Sequence, residues 1–366
     1  MAVNGSGARL QVFERYLGLE IYSATTLVLA AFLALFGFFD LVHELADIGK
    51  GGYQLHHALL FVLLTLPGYV YELLPVAVLI GSLYALTMLA RHSELTVLRA
   101  AGLSTLRMYW ALFKLGLVFV VLTFLVGEFL APPTERAAQQ LRLQALSSVV
   151  AQEFRSGLWI KDERSFVNVR QVLPDTSLNG VRIYEFDDNH QLRSISEAAS
   201  GLYQPPDRWK LRNVVQTSFE GEQTRVSQQA ERDWQSALTP DILTVLMVDP
   251  GRMSLMNLIQ YTRHLSDNQQ KTQRYEIAIW KKLIYPAAAL VMMALALPFG
   301  YVHDRSGNVS LKVFIGVMLG VTFHLLNGLF SSLGVINSWP PMMVALTPSA
   351  IFLLAATAMM WQVERR

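Results

Sequence analysis

Residues 58–90 read ALLFVLLTLPGYVYELLPVAVLIGSLYALTMLA, thirty-three positions whose only formal charge is Glu72. An α-helix rises about 1.5 Å per residue, so this stretch measures roughly 50 Å, against a hydrocarbon core of about 30 Å. Pro67 and Pro75 each delete a helix hydrogen bond. The stretch therefore reads as one long, kinked membrane span with an end outside the lipid. Similar runs lie on both sides of it. Ile21–Phe39 precedes it, and Met108–Leu130 follows with Lys114 and Glu128 near its ends. Leu283–Val302, Val313–Leu333 and Pro340–Trp361 complete a set of six, three before and three after a long interruption.

Composition agrees with a polytopic membrane protein. Only 16% of the 366 residues are charged, against about 25% in soluble domains, while 52% are hydrophobic. That excludes a disordered chain or a purely soluble globule. A net charge of +2 is too small for a nucleic-acid binder, and zero cysteines exclude disulfides, thiolate metal sites and thiol catalysis.

Lys and Arg in short loops fix the expected orientation. One side holds nine: Arg9, Arg15, Arg91, Arg99, Arg107, Arg305, Lys312, Arg365 and Arg366. The other holds three: Lys50, Lys281 and Lys282. Both termini are thus expected in the cytoplasm, with the first span retained as an anchor. The interruption, 131–275, carries 17 basic and 17 acidic residues and should lie outside the cytoplasmic membrane. Its start, Glu135–Phe154, reads as a helix continuing span three. Short β-type runs follow at Leu158–Ile160, Phe166–Val172, Val181–Phe186 and Trp209–Val215, separated by turn residues such as Asn179-Gly180 and Pro205-Pro206-Asp207. These predict an antiparallel roll or sandwich. Strand signals end near Trp234, and Met253–Leu265 reads as a helix leading back to the bilayer. The organisation is 1–133 with three spans, 134–274 with the all-β domain, and 275–366 with three more.

Chemistry of its own is hard to find in the chain. It contains no GxxxxGK[ST] loop for nucleotide phosphates and no G-x-S-x-G elbow. His43-Glu44-Leu45-Ala46-Asp47 has Asp where a zinc site of the HExxH kind needs its second His, and adjacent His56 and His57 project differently on a helix. The expectation is no enzyme, no metal and no cofactor. The most informative loop lies between spans two and three: Arg91-His92-Ser93-Glu94-Leu95-Thr96-Val97-Leu98-Arg99-Ala100-Ala101-Gly102. Ser93 suits a helix N-cap, Glu94 the positive end of the dipole, and Gly102 the C′ position. Leu95, Leu98 and Ala101 would form a small apolar face. This reads either as a plain interfacial turn or as a docking helix for a cytoplasmic motor.

That loop resembles the coupling helix of the lipopolysaccharide-export permeases, the LptF/LptG (YjgP/YjgQ) family. Further motifs extend the resemblance along the chain and lean toward its LptG branch: Phe13-Glu14-Arg15-Tyr16, Gly127-Glu128-Phe129-Leu130-Ala131-Pro132, Gly157-Leu158-Trp159-Ile160-Lys161-Asp162, and Trp280-Lys281-Lys282 followed by Pro286. The resemblance implies the transmembrane permease subunit of an ABC transporter. Such a subunit pairs with an LptF-like paralogue and is driven by a dimeric LptB-like ATPase that binds the ATP and Mg. Lipopolysaccharide would leave the outer leaflet of the inner membrane through a periplasmic jellyroll-like domain. It would then pass to a single-span LptC-like jellyroll protein and an LptA-like bridge. Ser93, Glu94, Leu95, Leu98, Arg99 and Gly102 would couple to the ATPase.

A lipid with acyl chains and a phosphorylated head needs an apolar cavity rimmed by cations. Arg136 and Arg142 on the helix leaving span three, and Lys281 and Lys282 opening span four, are the candidates. The outer end of span one departs from the family, which tends to carry lysines there. Asp40, Ala46 and Asp47 stand in that stretch, with Lys50 as the nearby cation. In span five, Gly316, Gly320 and His324 share a face with Gly328, and Asn327 lies alongside. This face suits close helix packing, and the resemblance adds a gate between subunits. Glu72, Lys114 and Glu128 read as structural. Two other classes remain: an ion-driven secondary transporter using Glu72 or His324, and a membrane-anchored assembly factor.

Overall fold

A computed structural model of the chain describes residues 4–50, 52–145, 158–162, 165–172, 177–187, 191–205, 208–220, 223–236, 250–267, 269–301 and 309–365. Among them are six helices long and apolar enough to cross a membrane. Span one is α1 (Asn4–Leu45) and span two is α2 (Leu55–Arg91), which stays a single helix through Pro67 and Pro75. A short α3 (Glu94–Ala100) leads to α4 (Thr105–Leu125). Span three then runs through a π-helical turn, Val126–Leu130, into α5 (Ala131–Ala145). The expected helix to Phe154 is present as far as Ala145, and its remainder lies outside the described residues.

The insertion contains six strands: β1 (Leu158–Asp162), β2 (Ser165–Val172), β3 (Leu178–Phe186), β4 (Leu192–Gln204), β5 (Arg208–Glu220) and β6 (Gln223–Gln235). All pair antiparallel with their sequence neighbours, in the order β1-β2-β3-β4-β5-β6. Period-two alternation turns Val167, Val169, Val181, Ile183, Leu211 and Trp209 onto one buried face. That face is closed by Leu258, Tyr261 and Leu265 of α6 (Leu255–Asp267). The return to the membrane passes a 3-10 turn, Pro250–Arg252, and α6. Span four is α7 (Gln273–Ile284) and α8 (Ala288–Tyr301), joined by a 3-10 turn containing Pro286. Spans five and six are α9 (Val309–Ile336) and α10 (Pro341–Glu364).

The bundle is built around α2. Of its most apolar stretch 78% is buried, against 6% for α1. It contacts α1, α5, α8 and α9, and Leu79, Leu83 and Leu86 are fully enclosed with Leu17 and Ile21 of α1 and Met292 and Ala296 of α8. Lipid tails are as apolar as leucine, so helices in a bilayer associate by close packing instead of hydrophobic exclusion. Two seams on α2 show how close. A Cβ on Gly81 would fall 2.6 Å from the Thr25 backbone nitrogen, and one on Gly320 would fall 2.3 Å from Val76 Cγ1. Gly316 meets Leu83 on the same α2–α9 seam.

Gly81→Ala should therefore cost roughly 1–3 kcal/mol, because the backbone of α1 blocks the added methyl. Gly328→Ala meets open space and should stay within about 0.5 kcal/mol of the parent. Thermal unfolding of the detergent-solubilised protein checks both.

Candidate functional site

Two regions of the bundle concentrate polar chemistry, one at each end. Farthest from the β domain lies the elbow formed by α3. Leu95 is buried in the main core and Leu98 is half-buried, whereas Thr96, Val97 and Ala100 face outward. Ala101 is exposed and does not extend the packed face as its spacing predicts. Gly102 has φ +93, and the Leu103 N–H reaches back 3.0 Å to the Leu98 carbonyl, a Schellman-type stop. Ser93 departs from the N-cap expectation. Its backbone is left-handed, φ 61, where a cap is normally extended, and its carbonyl accepts the Val97 N–H at 3.0 Å. Glu94 is partly exposed, 3.9 Å from His92 Nδ1. Arg99 lies in α3, its side chain outside the described ones.

At the opposite end, the chain returning from the β domain is tied into the spans. Both carboxylate oxygens of Glu128, in the π turn, accept the Leu255 N–H at 2.9 and 3.0 Å, which caps α6. Lys282 is buried, donates to the Met253 carbonyl, and lies 3.8 Å from Glu128. Arg252 donates to Glu135 at 3.0 Å and approaches Glu72 at 4.0 Å. Beside this junction opens a cavity of about 670 Å³ between α2, α7 and α9. Its walls carry the apolar Ile277, Tyr285, Val335 and Ile336, and three cations, Arg274, Lys281 and Lys282, against a single carboxylate, Glu72. Lys281 donates to Ser331 Oγ at 2.9 Å and to the Asn327 carbonyl at 3.5 Å. An apolar interior with a cationic rim suits an amphiphile with an anionic head.

The outer end of α1 is different. Asp40 accepts from Tyr69 at 2.9 Å and Glu44, 2% exposed, accepts from Tyr53 at 2.7 Å. Arg142 of α5 crosses to them, 2.7 Å from Asp47 and 3.7 Å from Glu44. Lys50 and Arg142 together hold the Asp47 carboxyl below its ordinary value, while burial and the Glu44 carboxylate push the Tyr53 hydroxyl up. Among the described residues no group of His, Asp and Glu has the arrangement of a metal site.

The model of the "Lipopolysaccharide export system permease LptF/LptG" family matches residues 15–362. The Escherichia coli (strain K12) lipopolysaccharide export system permease protein LptG is 33% identical over 357 residues, covering 97% of this chain and 98% of that protein. Its Haemophilus influenzae namesake is 32% identical, covering 94% and 97%. The chain belongs to the LptF/LptG permease family.

Within this permease the sequence-predicted residues separate into distinct settings. Lys281, Lys282, His324 and Asn327 come together around the cavity, as does Gly328. Lys282, expected to meet substrate, lines the cavity and is at the same time buried in the junction, where it donates to the Met253 carbonyl. Asn327 spends its side-chain amide on the Phe323 carbonyl of its own helix, 3.0 Å away, and not across an interface. Gly316 and Gly320 face α2 of the same chain. Arg142 is engaged by two carboxylates, and Arg136 is half-buried on α5, outside the cavity wall. Lys114 pairs with Glu14 at 2.9 Å. Arg274 and Arg252 were not singled out. Arg274 was findable, since it stands seven residues, two helical turns, before Lys281. Arg252 was not, because its partners lie more than a hundred residues away.

A pH dependence follows from Asp47. A depressed carboxyl stabilises the fold fully above its ordinary value of 3.8, and loses that contribution as pH falls through its folded value. Asp47→Asn should cost about 1 kcal/mol at neutral pH and nothing at pH values below the folded one. Denaturation midpoints of both forms across that range check it.

Proposed function

We propose that this permease is the LptG-like transmembrane subunit of an ABC transporter that extracts lipopolysaccharide from the outer leaflet of the inner membrane. The observation that carries the reading is the cavity at the β-domain end, where apolar walls meet a cationic rim. Acyl chains suit the first and phosphates the second. The chain passes the lipid into its β domain, and on to periplasmic jellyroll proteins of LptC-like and LptA-like kind. A paralogous LptF-like subunit supplies the other half of the path. The nine-to-three distribution of Lys and Arg supports N- and C-termini in the cytoplasm and the β domain in the periplasm.

The motor is a separate LptB-like ATPase dimer that binds the ATP and Mg, consistent with the missing P-loop. The α3 elbow is its docking point. Thr96, Val97 and Ala100 offer an outward apolar patch, and Glu94 offers a charge at the start of the helix. Leu95, buried in the bundle core, passes the displacement on to α2 and α4.

Charge reversal at the elbow tests this. Glu94→Arg should lower ATPase co-purification and lipopolysaccharide delivery by about tenfold or more, as loss of a paired interfacial charge does. Normal co-purification and normal delivery would overturn the reading.

A further inference from the structure

At the elbow end of the bundle, α4 of span three and α8 of span four part from one another. They touch at Gly116, where an added Cβ would fall 2.7 Å from Leu290 Cδ2 and 3.4 Å from Met293 Sδ. On the elbow side of that contact a cavity of about 280 Å³ opens between them. Leu106, Trp110 and Phe113 form one wall, spaced i, i+4 and i+7 on a single helix face, and Leu290, Met293 and Ala294 form the other. No charged side chain lines it. From Leu106 to Gly116 the groove follows α4 for about 15 Å, the depth of one leaflet in a hydrocarbon core about 30 Å thick. Trp110 is exposed at its mouth, as suits a tryptophan near a membrane surface. Arg107, three residues earlier and so beside Trp110 on the helix, is exposed too.

We infer that this wedge holds one acyl chain of an anionic phospholipid from the elbow-side leaflet, with the lipid's phosphate on Arg107. It is a second lipid site, separate from the cavity at the β-domain end and independent of which glycolipid is carried. A partner's transmembrane helix does not fit, because it is about 10 Å wide and crosses the whole core, whereas the groove ends at Gly116. An acyl chain is narrow and ends where the groove does. Burial from water drives nothing inside a bilayer, so one lipid is retained over its neighbours by packing against fixed walls and by charge. Met293, buried in the main core, supplies a fixed and polarizable wall. Arg107 reaches the headgroup level along its own aliphatic stem and meets phosphate in a charge-assisted bond. The groove begins four residues after the Gly102 stop, so an occupying chain braces α4 where it leaves the elbow.

Lipid photolabelling of the intact complex tests it. The complex is placed in phosphatidylcholine nanodiscs with a trace of phosphatidylglycerol or phosphatidylcholine carrying a diazirine in one acyl chain, and labelled residues are mapped. Leu354 of α10, ten residues from the elbow-side end of its helix and exposed, reports ordinary contact with the bilayer. The phosphatidylglycerol probe should label the 106–113 wall more than Leu354. It should exceed the phosphatidylcholine probe there about fivefold, the effect of one basic residue near a lipid surface. Arg107→Gln should bring that ratio to about one, and Arg107→Lys should keep it. Ala294→Phe, which fills the wedge, should reduce labelling of the wall to the level of Leu354. Wall labelling no higher than at Leu354 in the parent, or a headgroup preference that survives Arg107→Gln, would overturn the inference. Should Ala294→Phe fail to assemble, the Arg107 pair, made at an exposed side chain, decides the matter.

Discussion

Everything in this molecule is hung on α2, and α2 can hold it only because two neighbours, α1 and α9, approach it closely at glycines. Hydrophobic exclusion does not draw helices together inside a bilayer, so the close seams at Gly81 with α1, and at Gly316 and Gly320 with α9, carry the association through dispersion. The same helix joins the two polar ends of the bundle. Arg91 ends it beside the elbow, and Glu72 faces the cavity nineteen residues away, about 28 Å along the axis. A packed interior is stiff, and Leu95 of α3 is part of the same core as the buried face of α2.

The junction at the β-domain end works by a second constraint. Charged groups near the apolar bundle are costly unless paired and hydrogen-bonded, and here each has its partner from a distant part of the chain. Glu128 and Lys282 join spans three and four to the start of α6, and Arg252 ties the return segment to Glu135 and towards Glu72. The π turn at Val126–Leu130 re-aims the helix so that Glu128 meets the Leu255 N–H. One oxygen of Glu135 stays buried without a hydrogen-bond partner among the described residues, which raises the cost of losing Arg252.

How much of this was legible in the sequence follows from the range of each interaction. The spans were readable because twenty consecutive apolar residues have few alternatives, and the long second span appears as a single helix. The β domain was readable only in part. Runs such as Phe166–Val172 carry the alternating signal, but β4 (LRSISEAASGLYQ) turns small and polar residues onto the buried face, and β6 (QTRVSQQAERDWQ) is the exposed edge strand of the sheet among the described residues. An edge strand guarded by Arg225, Glu231, Arg232 and Asp233 resists pairing with other chains, and that same polarity hides it from a hydrophobic pattern. At the elbow, helix existence and the Gly102 stop were local facts and came out correctly. The left-handed Ser93 did not, because a tight two-residue corner between α2 and α3 overrides its capping preference.

Site residues divide along the same line. A basic residue near the membrane surface looks alike in sequence whether it waits for a substrate or braces the fold. Arg142 and Lys282 brace it, the first between two carboxylates of α1 and its loop, the second against Glu128 and the Met253 carbonyl. Their partners are 98, 95, 154 and 29 positions away, beyond any local pattern. The acidic outer end of α1 follows the same rule. Asp40 accepts from Tyr69 of α2, Glu44 from Tyr53 of the following loop, and Asp47 from Arg142 of α5, so the carboxylates of this end are engaged inside the subunit by partners that no local pattern reveals.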